Sequence, residues 1–438
     1  MSKTHVYSGD ESRRPVLVAG IRTPFQKAGT GLAKASAADL GVWAVKELLA
    51  RTELEPEAVD EVILGCVGQE SKEANVARVV SLRAGMPHST PAYTVHRNCA
   101  SGLQAIDEGA RRIAMGEGSI YIVGGTESMS SYPILFSDRL KAVLERLMGS
   151  KTLFGKLRVL ASIRPSFLKP RISLLEGLTD PTCGLIMGLT AENLARDFGI
   201  TREEQDRFAL ESHSRAAQAW NDGLYADEVF ALYPPPKYEP TGRDNSPRQD
   251  QSLEALAKLR PYFDRTEGSV TVGNSCPITD GAAALCLMSE AEARSRGMRP
   301  LGRLLSSAVS GLDPSRMGLG PAYAAPAALE AKGMACKDVD VWEINEAFAA
   351  QVLACSRALD SETFCRDELG ASRAFGAPDA EKINPRGGAL AIGHPVGATG
   401  SRLVLGLLRQ MEGKGGGLGV ATLCVGGGQG AAQVWEAA

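Results

Sequence analysis

The chain has 438 residues, more than a single hydrophobic core usually serves, so two or three structural units are expected. Apolar residues make up 44 % and aromatics 5 %, and a formal charge of −3 supplies no overall field to draw the protein to nucleic acid. Nine cysteines stand singly, without a CxxC pair or an HExxH, which favours neither a disulfide framework nor a zinc site.

The N-terminus, Met1 to Arg14, is polar and lacks the apolar stretch of a signal peptide. No apolar run reaches the length of a membrane span. A reducing cytoplasm, where thiols stay available for chemistry, is the expected setting. Pro15–Gly20 reads as a short buried strand, followed by the turn-like Arg22-Thr-Pro-Phe25. Ala38–Leu49 has helical apolar spacing, and Glu61–Gly65 and Ile120–Gly124 read as further buried strands with helical stretches between them. Ala92–Arg97 reads as a strand, and Leu103, Ile106, Ala110 and Ile113 form one apolar stripe of the helix after it. This alternation predicts an α/β fold with at least partly parallel sheets.

From about 128 to 267 the pattern changes to Pro-containing loops, a basic stretch and a helix over Arg202–Asn221. Tyr233-Pro-Pro-Pro-Lys237 cannot be helix interior and marks a linker. We read this stretch as an inserted loop domain, set between an N-terminal core half over 15–127 (completed by about 268–298) and a C-terminal half over 299–438. The C-terminal half repeats the grammar of the first. Val339–Ile344 parallels the strand at 61–65, the helix after Gly397-Ala-Thr-Gly400 parallels that after Cys99-Ala-Ser-Gly102, and Val425-Gly-Gly427 parallels Val123-Gly-Gly125.

Cys99 falls where a strand meets a helix N-terminus, whose free N–H groups and dipole stabilise a thiolate. Small neighbours, Ala100, Ser101 and Gly102, leave the sulfur open to a substrate. The alternative is a buried structural thiol, as most single cysteines are. His394, between Gly393 and Pro395 ahead of a helix, is a natural base for such a nucleophile, although taken alone it reads as a surface-loop histidine. His96, three residues before Cys99, competes with it, and His5, His88 and His213 have no comparable setting. Cys424 caps the strand-like Leu418–Leu423 and precedes Val425-Gly-Gly-Gly-Gln-Gly430, whose glycines permit close backbone approach and aim N–H groups at an oxyanion. No Lys-Ser/Thr follows them, so this is not a P-loop. Asn345-Glu-Ala-Phe348 either orients a water or a carbonyl with Asn345, or caps the next helix; taken alone it reads as a cap.

Taken together and in order, Asn98-Cys-Ala-Ser-Gly-Leu-Gln-Ala-Ile106, Asn345-Glu-Ala-Phe348, Gly393-His-Pro395 and Cys424-Val-Gly-Gly-Gly-Gln-Gly430 closely resemble the thiolase family. Arg22-Thr-Pro-Phe25, Gly124-Gly-Thr-Glu-Ser-Met-Ser130, Met187-Gly-Leu-Thr-Ala-Glu-Asn193 and Gly268–Ser275 with Asp280-Gly-Ala-Ala283 extend the likeness from about residue 15 to 437. The resemblance implies a thiolase fold: two similar βαβ-rich halves in a five-layered αβαβα arrangement with an inserted loop domain. It implies that Cys99 is the acyl-accepting nucleophile, activated by His394, and that Cys424 gives or takes the proton at the α-carbon of acetyl-CoA. Asn345 would hold a water that forms one oxyanion hole with His394, and the N–H groups of Cys99 and Gly426 would form the other.

No metal or redox cofactor is implied; coenzyme A is a substrate. The expected activity is 3-ketoacyl-CoA thiolase, in β-oxidation of medium- to long-chain acyl groups. The alternatives are a biosynthetic acetoacetyl-CoA thiolase and a non-catalytic CoA- or lipid-binding scaffold. Ile186 before Met187 suits a longer acyl chain than the His of short-chain members. Met187, Ser275 and Cys276 are the candidate substrate contacts, with Cys276 standing where a Ser often meets the pantetheine. A homodimer or tetramer is expected. The stretch 131–180 resembles the thiolase β-subunit of trifunctional fatty-acid oxidation complexes, which implies a partner hydratase/dehydrogenase subunit, although Asn345 stands where those subunits tend to carry His. Residues 138–171 carry nine Lys and Arg against two acidic residues, interleaved with Leu, Val, Phe and Ile. They are either a docking hairpin for a membrane surface or partner, or a lid whose charge favours the CoA phosphates.

Overall fold

The computed structural model describes residues 2–7, 10–412 and 414–438. Nine strands carry the core: β1 (Pro15–Arg22), β2 (Glu61–Gly65), β3 (Ala92–Val95), β4 (Ile120–Ser128), β5 (Thr279–Ser289), β6 (Gly302–Gly311), β7 (Val341–Ile344), β8 (Gly417–Val425) and β9 (Gln429–Ala437). They lie in the order β7-β8-β9-β6-β1-β5-β4-β2-β3, and two short strands at Lys3–Val6 and Gln26–Lys27 complete an 11-stranded sheet. In the N-terminal half β2 runs parallel to β4, β4 antiparallel to β5 and β5 antiparallel to β1. The C-terminal half repeats this: β7 is parallel to β8, β8 antiparallel to β9 and β9 antiparallel to β6. The halves share a short seam, Leu17 opposite Gly302 and Val16 opposite Arg303.

The helices used below are α1 (Ala37–Thr52), α2 (Val76–Ala84), α3 (Ser101–Met115), α4 (Asp138–Gly149), α5 (Leu153–Leu160), α6 (Met187–Asp197), α7 (Arg202–Asn221), α8 (Gly320–Glu330), α9 (Ala349–Asp360) and α10 (Thr399–Glu412). The predicted stripe of α3 is buried with Leu403 and Leu407 of α10 between strand residues of both halves, such as Val123 and Leu423. Leu40 and Val45 of α1 and Val80 of α2 cover the outer face of the N-terminal half. Ala324 and Ala328 of α8 and Val352 of α9 cover that of the C-terminal half, around Trp342. Five layers, αβαβα, result.

Two local expectations change. β3 stops at Val95, because Asn98 takes a left-handed φ of 42° and the chain turns at once into α3. The glycine pairs are not equivalent: Gly124 and Gly125 lie inside β4, whereas Gly426 follows the end of β8. A Cβ at Gly125 would collide with the carbonyl of Gly397, so this glycine is what lets the loop before α10 rest on β4.

Candidate active site

The N-termini of α3 and α10 meet backbone to backbone. A Cβ on Gly102 would come 2.9 Å from Gly397 O and 2.9 Å from Ser401 N, and one on Gly400 would collide with Leu103 N. This contact brings the loop carrying Cys99 to the loop carrying His394.

Cys99 is half-buried. Burial raises its thiol pKa, the backbone N–H groups of Gly426 and of Cys99 itself lower it, and Glu127 adds a smaller upward push. Ser101 Oγ pins the loop, donating to Asn98 O at 2.7 Å and accepting from Arg97 N at 2.9 Å. Asn98 Nδ2 donates to Gly426 O at 2.7 Å, which fixes the peptide plane of the glycine loop against Cys99. Gly427 and Gly428 follow with φ of 91° and 74°, a region that favours glycine.

His394 is buried, and its backbone N–H donates to Thr279 Oγ1 at 3.2 Å. Thr399 Oγ1 lies 2.6 Å from Nδ1 and gives its own proton to Pro395 O at 2.9 Å. The threonine oxygen therefore accepts, Nδ1 carries the hydrogen, and Nε2 keeps the lone pair. Nε2 faces Asn345 Nδ2 at 3.4 Å. Burial first and Arg402 second push the imidazole pKa down to about 4, so the ring is neutral at physiological pH.

Asn345 does not cap a helix. The N-cap of α9 is Phe348, and the N–H of Asn345 bonds Thr422 O at 2.9 Å, placing its amide beside His394. Its Oδ1 is buried without a protein partner, the kind of acceptor an ordered water satisfies. Cys424 lies next to the last residue of β8, fully buried, and its thiol pKa is raised by burial and then by Cys99.

Cys99, His394, Cys424 and Gly426 line one cavity of about 300 Å3, joined by Met187 and Cys276. Val67, Met129, Leu178, Met317 and Phe348 make its walls apolar. Ser275 lies outside this lining; its hydroxyl donates to Thr271 O at 2.6 Å. His96 is exposed outside it. Among the described residues no cluster of His, Cys, Asp or Glu could hold a metal ion.

Several positioning groups escaped the sequence reading. Buried Glu127 accepts from Gly68 N at 2.7 Å, Gly397 N at 2.8 Å and Val67 N at 3.0 Å, holding two pocket loops together. Glu346 accepts from Ser212 Oγ at 2.6 Å, Asn384 Nδ2 at 2.7 Å and Leu390 N at 3.2 Å, fastening the loop that leads to His394. A lone carboxylate in an otherwise uncharged strand was the available signal for Glu127.

Residues 15–291 match the family model for the thiolase N-terminal domain and residues 298–437 that for the thiolase C-terminal domain. The chain belongs to the thiolase family. It is 42 % identical to a 3-ketoacyl-CoA thiolase of Yersinia enterocolitica, over 100 % of both chains. It is 43 % identical to one of Pectobacterium atrosepticum, over 97 % of this chain and 96 % of the relative. Among solved thiolase-family structures, human mitochondrial 3-ketoacyl-CoA thiolase superposes with a TM-score of 0.84 at 37 % identity, covering 97 % of this chain and 99 % of the other. The Bacillus anthracis acetyl-CoA acetyltransferase gives the same TM-score, identity and coverage. The thiolase fold of the chain is thus an acyltransferase fold, and the cavity at its centre is the candidate active site.

Proposed function

We propose that this chain is a 3-ketoacyl-CoA thiolase that cleaves medium- to long-chain 3-ketoacyl-CoA with coenzyme A, and that Cys99, His394, Cys424, Asn345 and Gly426 carry the reaction. The observation behind it is the neutral, tautomer-locked His394 in one cavity with two thiols, Cys99 and Cys424. As Cys99 Sγ attacks the 3-keto carbon, His394 Nε2 takes its proton, and the new oxyanion meets the N–H groups of Cys99 and Gly426. The bond between the α- and β-carbons then breaks. The departing enolate takes a proton from Cys424, its thioester oxygen facing His394 and a water on Asn345, and acetyl-CoA leaves. Cys424 next takes the thiol proton of coenzyme A, whose sulfur attacks the acyl group on Cys99. The thioester to Cys99 breaks, His394 returns the proton to Cys99, and the shortened acyl-CoA leaves. Coenzyme A is a substrate here, and no step calls on a metal or a redox group.

The apolar walls, together with Met187 and Cys276, support a role with longer acyl chains in fatty-acid β-oxidation. The same reading includes the division into two core halves and an inserted domain over 128–267, a cytoplasmic location and a homodimer or tetramer. CoA-dependent loss of 3-ketoacyl-CoA, measured from four carbons upward with wild type and Cys99→Ala, tests the activity. Cleavage confined to acetoacetyl-CoA would move the assignment to the biosynthetic class, and no cleavage by the folded protein would overturn it.

For 138–171 we propose peripheral contact with a membrane surface or a hydratase/dehydrogenase subunit. Met148 is 87 %, Phe154 78 % and Leu153 76 % exposed on α4 and α5, beside Lys151, Lys156 and Arg158. Vesicle flotation and pull-down comparing the full chain with a variant lacking 138–171 test this; equal binding by both would end it.

A further inference from the structure

Arg402 lies on α10 one turn beyond Thr399, and only 3 % of it is exposed. Its Nη1 donates to Glu343 Oε2 at 2.8 Å, while Nε and Nη2 are buried without partners. Such N–H groups are rarely left unsatisfied, and a buried ion pair can often be replaced by apolar residues without loss of stability. Stability alone is therefore a poor reason for this guanidinium. Glu343, on β7 and equally buried, accepts from Gln410 Nε2 at 2.7 Å through its other oxygen. Burial pushes its carboxyl up to about 7 against the pull of Arg402, with Glu346 and Glu228 pushing the same way as burial. As the pH falls through neutrality Glu343 takes up a proton, and the charge of Arg402 loses its counter-ion.

The groups around His394 come from every neighbouring element. α10 gives Thr399 and Arg402, the end of β7 gives Asn345, the start of β5 gives Thr279, and the cavity brings in the thiols of Cys99, Cys276 and Cys424. Among the described residues, Arg402 is the charged group that acts on the imidazole; it also acts on Glu346, which holds the loop before His394.

We propose that Arg402, with Glu343 as its counter-ion, is a positioning residue for the reaction: its buried guanidinium, fixed one turn beyond Thr399, sets the electrostatic environment in which His394 Nε2 takes the proton of Cys99. This rests on the reading of His394 as the base. A base beside a fixed cation stays free of protons in the resting enzyme and hands its proton back readily when the acyl group leaves.

The test is direct titration of His394 in the full chain labelled with [13Cε1]-histidine, the resonance assigned by its loss in His394→Asn. In wild type it should keep its neutral position down to about pH 5. In Arg402→Met/Glu343→Leu, which removes both charges and leaves no buried carboxylate unpaired, its midpoint should rise by on the order of one pH unit. Arg402→Lys, which keeps the charge and changes the bonding, should titrate as wild type does. In Glu343→Gln, which strips the counter-ion alone, the midpoint should not rise. An unchanged midpoint in the double variant, a raised one in Glu343→Gln, or a lysine variant that behaves like the double variant would each overturn the proposal. These readouts need no turnover, so they stand apart from the cleavage assay that tests the activity.

Discussion

The two halves of the core share a strand order, but they reach their central helices differently. In the N-terminal half β3 pairs with β2 over its whole length, Val62–Gly65 against Ala92–Val95, and the short loop 96–100 then delivers Cys99 to α3. In the C-terminal half the corresponding strand has shrunk to one parallel bridge, Trp342 with Ile383. Beyond it the Asn384 side chain stands in for the ladder, accepting from Ile344 N and donating to Ile344 O, both at 2.9 Å, and the long loop 384–398 carries His394. A short loop fixes its residue through the backbone. A long one needs buried side chains to hold it: Glu346 fastens the loop at Asn384 and Leu390, and Thr279 and Thr399 hold the histidine itself. The proposed nucleophile thus sits on the shorter connection, and the proposed base on one whose surroundings can tune it.

Removing the chemistry itself breaks the comparison most severely. Cys99→Ala should lower kcat by at least about 10³-fold, and His394→Asn by about 10² to 10⁴-fold, in a coupled assay of CoA-dependent cleavage. Circular dichroism should stay unchanged for Cys99→Ala. Equal, mild losses in the two variants would mean that neither residue touches the reacting atoms.

Loosening the two loops comes next. Asn98→Gly, which accepts the left-handed φ of 42° without strain, frees the carbonyl of Gly426. It should cost about 10- to 10²-fold in kcat, with little change in unfolding, since the glycine loop carrying the proposed oxyanion donor loses its tie. Glu346→Ala orphans donors on Ser212, Asn384 and Leu390, and should cost about 2–4 kcal/mol in urea unfolding as well as activity. The contrast is the point: a tie on the short loop reads out in rate, one on the long loop in rate and stability together. Glu346→Ala with unchanged stability would dissolve it.

Much of the N-terminal half of this contrast was legible in the sequence. Leu103, Ile106, Ala110 and Ile113 repeat at helical spacing, so the helix and the place of Cys99 before it follow from periodicity. The C-terminal half was less legible because its ties span the fold. Asn345 before a helical run reads as a cap, and only the pairing of its N–H with Thr422 O shows that α9 begins later. Ser275 and Cys276 are neighbours in a loop, and sequence does not tell which of the two faces the cavity. The tautomer of His394 depends on where Thr399 sends its own proton, which no spacing reveals.

Gly400→Ala probes where the two halves touch. The new methyl would press on the backbone at Leu103 and push α10 from α3, so a loss of about 1–3 kcal/mol is expected in thermal or urea unfolding, with kcat falling as the two loops separate. Gly406→Ala, on the same helix with room at its Cβ, is the control and should be neutral or slightly stabilising. A Gly400→Ala protein as stable and active as wild type would mean that the halves tolerate separation and that the shorter connection is not what places Cys99.

The smallest effect separates the imidazole of the C-terminal half from an ordinary buried one. His394 and His213 are both pushed down to about 4 from 6.5, His394 by burial and Arg402, His213 by burial, Arg248 and Lys27. Between pH 6.5 and 4 the unfolded chain binds a proton at each site that the folded protein refuses. Stability is therefore full above about 6.5 and is lost as the pH falls toward 4, by about 2 kcal/mol per histidine at pH 5. Glu343, whose raised carboxyl takes up a proton in the folded protein over the same range, pulls the total the other way, so the measure is the difference between variants. In urea unfolding at pH 7 and pH 5, His394→Asn and His213→Asn should each shift the pH-dependent change by about 2 kcal/mol relative to wild type. If only His213→Asn shifts it, then His394 keeps a near-ordinary pKa in the folded protein, and neither burial nor Arg402 is what holds its Nε2 free of protons.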